Sequence, residues 1–84
     1  MYEVYLERTA ERDLRQLSAK IFGRIIPEIR ALAENPRPHG CRKITGSRND
    51  WRIRIGDYRV IYEIRDERPS VLVVAVGHRR EIYR

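Results

Sequence analysis

The chain has 84 residues, room for one small domain spanning 1–84 and too few for a multi-domain enzyme. Folding a chain this short buries about 64% of its unfolded surface, which supports one modest core and excludes a deep cofactor cavity. The formal net charge is +6, and the 18 basic residues divide into sixteen Arg and two Lys. Guanidinium grips phosphate bidentately, so the expected partner is a polyanion, either nucleic acid or an acidic protein.

The first segment, Met1 to Arg8, holds no apolar stretch of signal-peptide type, and Tyr2, Val4 and Leu6 alternate with Glu3, Tyr5 and Glu7 as in a short strand. Thr9 follows as a candidate helix cap. The period then changes: Ala10, Leu14 and Leu17 share one helical face, and after Ser18, a second candidate cap, an apolar stripe runs from Ile21 and Phe22 through Ile25, Ile26 and Ile29 to Leu32. Together these predict a helical hairpin. Pro27 falls inside the stripe, predicting either a kink or a later helix start, and Asn35-Pro36 ends it. Arg37-Pro38-His39-Gly40 reads as loop.

From Cys41 onward the period is two, with strands expected at Lys43-Ile44, Trp51 to Ile55, Tyr58 to Arg65 and Ser70 to His78. The longest apolar run, Val71 to Val76, suits a buried strand and falls far below the ~20 residues of a membrane helix. With one cysteine, Cys41, no internal disulfide can form, and a cytoplasmic location without a membrane partner is expected. The element order β-α-α-β-β-β predicts an α+β domain, the helical hairpin packed on one face of a mainly antiparallel sheet.

Gly56-Asp57 is a Gly-X pair suited to a two-residue type II′ hairpin, which would set Ile55 opposite Tyr58, Arg54 opposite Arg59 and Arg52 opposite Ile61. Alternation then sends Trp51, Ile53, Ile55, Tyr58, Val60 and Tyr62 to the core, and Arg52, Arg54, Arg59, Ile61 and Glu63 to the other face. If Asp66-Glu67-Arg68-Pro69 closes the next hairpin without a bulge, Arg65 faces Ser70, Val76 faces Arg59, and His78 joins the arginines.

Arg54 opposite Arg59 is a like-charge pair, a destabilising choice by roughly 0.2–1 kcal/mol that stability alone would not select. With Arg52 it forms a patch able to hold a phosphodiester, although arginines whose stems merely cover Ile61 and Val74 would look the same. The ending His78-Arg79-Arg80-Glu81-Ile82-Tyr83 adds an imidazole, an arginine pair and a stacking ring. Other chemistry fails inspection. His39 and Cys41 lack the further ligands of a zinc site, Gly46-Ser47 lacks the spacing of a nucleophile elbow, and no glycine motif cradles a nucleotide. No cofactor is expected. The second helix is too broadly apolar to be the recognition helix of a helix-turn-helix.

The runs Trp51-Arg52-Ile53-Arg54-Ile55-Gly56-Asp57-Tyr58-Arg59-Val60-Ile61-Tyr62-Glu63-Ile64 and Val76-Gly77-His78-Arg79-Arg80-Glu81-Ile82-Tyr83, with the Asn35-Pro36-Arg37-Pro38 helix exit, resemble the RelE group of the RelE/ParE toxin superfamily over essentially the whole chain. The resemblance implies a RelE-like fold and a toxin of a type II toxin–antitoxin system. It implies a metal-independent endoribonuclease that cuts mRNA in the ribosomal A site by attack of a 2′-OH on the adjacent phosphate. A cognate acidic antitoxin is the implied protein partner. The catalytic positions carry over onto Arg54, Arg59, Arg79 and Tyr83; Arg52, Lys43, His78 and Arg80 are the expected RNA contacts.

Where some members carry Lys before the turn, this chain has Arg52 and Arg54, which are poor proton acceptors. The general base is therefore open among His78, Tyr83, Glu63 and a ribosomal RNA group, with imidazole the best matched to neutral pH. Two other functions compete: a ParE-like toxin that inhibits DNA gyrase by protein contact, and a non-catalytic basic RNA-binding module.

Overall fold

The computed structural model describes residues 1–82. In chain order these form β1 (Glu3–Leu6), α1 (Arg8–Arg15), α2 (Ala19–Ala31), β2 (Arg42–Lys43), β3 (Asp50–Ile55), β4 (Tyr58–Arg65) and β5 (Ser70–His78). The strands make one sheet in the order β1-β5-β4-β3-β2, with β1 parallel to β5 and the remaining pairs antiparallel. This is the expected α+β layout, with the two-residue β2 as a fifth strand at the far edge.

Both helices bury apolar stripes against the same sheet face: Ala10 and Leu14 of α1, with Ile25 and Ile29 of α2, meet Ile53, Val60, Tyr62 and Val73. Ser18 caps α2, its Oγ accepting the Ile21 N–H at 3.3 Å. Glu7, not Thr9, occupies the cap position of α1. The Thr9 hydroxyl instead donates to the Val74 carbonyl at 2.7 Å. Helix α2 starts at Ala19 and continues through Pro27. The carbonyl that Pro27 leaves without its helical donor belongs to Gly23, and both residues are exposed, so water can reach it.

The buried stripe of α2 is narrower than the sequence suggests, since Phe22 remains 42% exposed. Tyr62, fully buried, donates its hydroxyl to the Pro36 carbonyl at 2.8 Å and so fixes the helix exit to the sheet. Burial pushes its phenol well above the ordinary tyrosine range. The accessible surface is 6037 Å², above the roughly 5,300 Å² usual for this mass.

The β3–β4 register is the one that Gly56-Asp57 dictates, Ile55↔Tyr58, Arg54↔Arg59 and Arg52↔Ile61. Gly56 has φ +60° and no non-glycine residue among the described residues has positive φ, which is the type II′ signature. Helix α2 closes over this turn: a Cβ on Gly56 would stand 3.2 Å from Arg24 Nη2.

The β4–β5 register departs from expectation. It begins as an unbulged loop requires, Arg65↔Ser70 through Tyr62↔Val73, and then shifts to Ile61↔Ala75, leaving Val74 unmatched. Beyond this bulge Arg59 faces Gly77 rather than Val76, and Tyr58 faces His78. One extra residue sends every later side chain to the opposite face, so His78 joins the helix side instead of the arginines. Helix α1 holds the bulge in place. Strand β1 ends at Leu6↔Val73, and along the bare edge that follows, Thr9 takes the Val74 carbonyl while Asp13 Oδ2 accepts the Val76 N–H at 3.0 Å.

Candidate functional site

Cross-strand partners share a sheet face, so the register alone assembles a cluster. Arg42 of β2 pairs with Arg52 of β3, and Arg54 pairs with Arg59 of β4, giving four guanidinium groups on the face turned away from the helices. Their neighbours on β5 are Ala75 and Gly77, which add little bulk of their own beside the arginines. Among the described residues no carboxylate lies within ion-pair distance of Arg42, Arg52 or Arg59. Glu63, the acidic residue in nearest register, is held by Arg65 Nε at 2.6 Å, and Asp50 lies beside it at the far end of the face.

A second group meets the cluster from the end of β5. Arg79 donates its N–H to the Asp57 carbonyl at 2.8 Å, and its Nε lies 3.8 Å from Asp57 Oδ1. Arg79 is thereby tied to the turn that joins Arg54 to Arg59. Ile82 comes back over the sheet, 3.6 Å from where Gly77 would carry a Cβ, and Gly77 belongs to the arginine face. The chain therefore crosses from the helix side at His78 to the arginine side at Ile82 within a single turn. Arg80 is exposed on that turn. Tyr83 lies outside the described residues.

Lys43 and His78 fall elsewhere. Lys43 pairs with Trp51 and takes the helix-side face, near the Arg37 guanidinium that lies 5.1 Å from the Trp51 ring centre. His78 lines a cleft of about 660 Å³ with Arg12, Asp13, Leu17 and Tyr58, its ring edge-on to Tyr58 with centres 5.5 Å apart. Sequence reasoning missed Arg42, because so short a strand gives no usable alternation. It also missed Arg24, whose approach to Gly56 is a helix-to-turn contact. No three His, Cys, Asp or Glu side chains gather as metal ligands among the described residues.

Residues 4–83 match the family described as the ParE toxin of type II toxin–antitoxin systems. The chain is 33% identical to Toxin RelG of Mycobacterium tuberculosis, over 99% of this chain and 97% of that one. It belongs to the RelE group of the RelE/ParE toxin superfamily.

Among the solved structures that share its fold are two toxin–antitoxin complexes. The RelBE2 toxin–antitoxin complex of M. tuberculosis superposes with a TM-score of 0.81 at 28% identity, over 92% of this chain and 96% of the other. The intact RelBE toxin–antitoxin complex of E. coli does so with a TM-score of 0.82 at 24% identity, over 93% and 96%. The chain is thus a toxin of a type II toxin–antitoxin system with the two-helix, five-stranded RelE-like fold. No helix among the described residues is long and apolar enough to cross a membrane.

Proposed function

We propose that this toxin is a ribosome-dependent endoribonuclease that cuts mRNA in the A site. The observation that supports this reading is the cluster of Arg42, Arg52, Arg54 and Arg59 on one open sheet face, with Arg79 tied to its turn. Like charges gathered this way on rigid strands disfavour the fold unless an anion sits between them. In the proposed reaction a ribose 2′-OH attacks the adjacent phosphorus and the P–O5′ bond breaks. A base takes the 2′ proton, the 5′-oxygen gains one, and the products are a 2′,3′-cyclic phosphate and a 5′-hydroxyl.

Arg54 and Arg59 stabilise the charge that grows on the phosphoryl oxygens, and Arg79 serves the leaving oxygen. Arg42, Arg52 and Arg80 hold flanking phosphates, and Tyr83 stacks on a base. Lys43 lies on the far face and at most contacts RNA at the edge of the footprint. The bulge at Val74 turns His78 to the helix side, which supports a base other than His78, namely Tyr83, Glu63 or a ribosomal RNA group. An acidic antitoxin would neutralise the same arginines, and the cytoplasm, where ribosomes are reached, is the proposed location.

A ParE-like action on DNA gyrase is the second reading, favoured by the description of the matching family. One comparison separates them. Purified protein added to translating ribosomes should generate new mRNA 5′-hydroxyl ends in the A site, unaffected by EDTA once magnesium is restored for the ribosome, and should leave gyrase supercoiling unchanged. Inhibited supercoiling with intact mRNA would establish the second reading, and 5′-phosphate ends would point to metal-assisted hydrolysis.

A further inference from the structure

We infer that His78 is a positioning residue, whose unprotonated Nδ1 caps the turn carrying Arg79 and Arg80 so that a proton gained there releases the turn. The inference deepens the ribonuclease reading and rests on it.

Three successive backbone N–H groups converge on this one residue. Arg80 donates to Nδ1 at 3.2 Å, while Glu81 and Ile82 donate to the His78 carbonyl at 2.9 and 3.1 Å. This is helix N-cap geometry, with an imidazole nitrogen where Ser, Asp or Asn usually offers an oxygen. A neutral imidazole accepts at only one nitrogen, so the ring proton sits on Nε2. An imidazolium carries N–H at both positions and would meet the Arg80 N–H donor to donor.

The ring packs at 82° to that of Tyr58, and the bulge at Val74 fixes its side of the sheet. The turn it caps is the crossing between faces: Arg79 is bound to Asp57 at one point, and Ile82 is seated over Gly77 beside Arg59 at another. Losing the cap therefore loosens Arg79 at the Gly56-Asp57 turn that joins Arg54 to Arg59, without touching either arginine.

The charged and titratable groups around the ring are Arg12 and Asp13 from α1, Tyr58 from β4, and Glu81 from the turn itself. Arg79 and Arg80 flank it in the chain. Asp13 is occupied by the Val76 N–H and lies 3.9 Å from Arg12, so those two charges offset each other.

The test uses the full chain in two ways. Imidazole and amide nitrogen NMR should show the Nε2–H tautomer at neutral pH, and on acidification the Arg80 amide should shift with the same midpoint as the ring. Single-turnover cleavage on programmed ribosomes should fall on acidification with the same midpoint as that amide shift in the wild type. His78→Leu should lose roughly 3- to 30-fold at neutral pH, the loss expected of a missing cap. His78→Asn, which offers a non-titrating oxygen near the Nδ1 position, should restore most of that rate and abolish the acid fall. An Nδ1–H tautomer, an Asn variant as weak as Leu, or an acid fall that survives in Asn would each overturn the inference. If the wild type cuts no mRNA at any pH, the ribonuclease reading itself falls and the positioning role with it, whatever the tautomer.

Discussion

The two long hairpins of the sheet reach their registers by opposite means. The β3–β4 hairpin is decided within itself: Gly56 takes φ +60°, two residues close the turn, and six cross-strand pairs follow without a break. The β4–β5 hairpin is decided from outside, since its four-residue loop starts one register and a bulge at Val74 replaces it with another. Helix α1 supplies the groups that fix the change, Thr9 to the Val74 carbonyl and Asp13 to the Val76 N–H. The first hairpin carries the arginine pair, and the second decides what stands beside it. Gly77 lies next to Arg59 only because Val74 is bulged; without the bulge, Val76 would crowd that position.

The largest test of this division concerns the self-contained hairpin. Arg59→Ala removes one preorganised cation, and losses of this kind run on the order of 100- to 1,000-fold, or roughly 2.7–4 kcal/mol of transition-state stabilisation. The register does not depend on that side chain, so urea melts of the variant should stay close to wild type. Cleavage on programmed ribosomes that survives the substitution would show the arginine face to be structural.

The bulged hairpin should break from a distance. Asp13→Ala deletes the acceptor for the Val76 N–H on a helix remote in sequence, and stranding a backbone donor that had a charged partner costs about 1.5–3 kcal/mol. Asp13→Asn keeps an oxygen there and should recover part of the loss in the same denaturant series. If Asp13→Ala melts like the wild type, the bulge belongs to the β4–β5 sequence and α1 merely follows it. By contrast Gly56→Ala acts inside the first hairpin, placing a Cβ at a left-handed position and 3.2 Å from Arg24 Nη2. A loss of about 1–2 kcal/mol is expected, with the register retained.

The same contrast explains what could be read in the sequence. Elements formed by local chemistry were legible: the Ser18 cap, the Gly56-Asp57 turn, the alternation from Trp51 to Tyr62, and hence Arg52, Arg54 and Arg59 on one face. The position of His78 was not, because it depends on contacts between residues 63 and 65 apart in the chain. Nothing in Val71-Leu72-Val73-Val74-Ala75-Val76 marks Val74 as the residue to bulge, all six being apolar and suited to either face. Arg42 was hidden for a related reason: its place beside Arg52 follows from a two-residue edge pairing too short to leave a pattern.

The smallest expected effect lies at the loop of the second hairpin, which is also secured from outside. Asp66 accepts the Arg37 guanidinium at 3.0 Å and the Tyr2 hydroxyl at 2.6 Å, linking the β4–β5 loop to the helix exit and to the N-terminal segment. The Arg37 hydrogen bond, then that of Tyr2, holds the Asp66 carboxyl below its usual range, and the Asp66 hydrogen bond raises the Tyr2 phenol. The signs set the pH window. A carboxyl whose folded value is depressed stabilises the fold above the ordinary carboxylate pKa of about 3.9, and that contribution is lost as pH falls through the lower folded value. A raised phenol contributes below about pH 10 and loses its contribution as pH rises through the folded value. All three groups are solvent-exposed or nearly so, which keeps the effect small and sensitive to salt. Thermal melts of wild type and Asp66→Asn across the pH range should thus differ on a plateau between these limits and converge at the acid end. A difference that persists undiminished below about pH 2 would mean that Asp66 acts through loop geometry rather than charge, making the second hairpin as self-contained at its loop as the first.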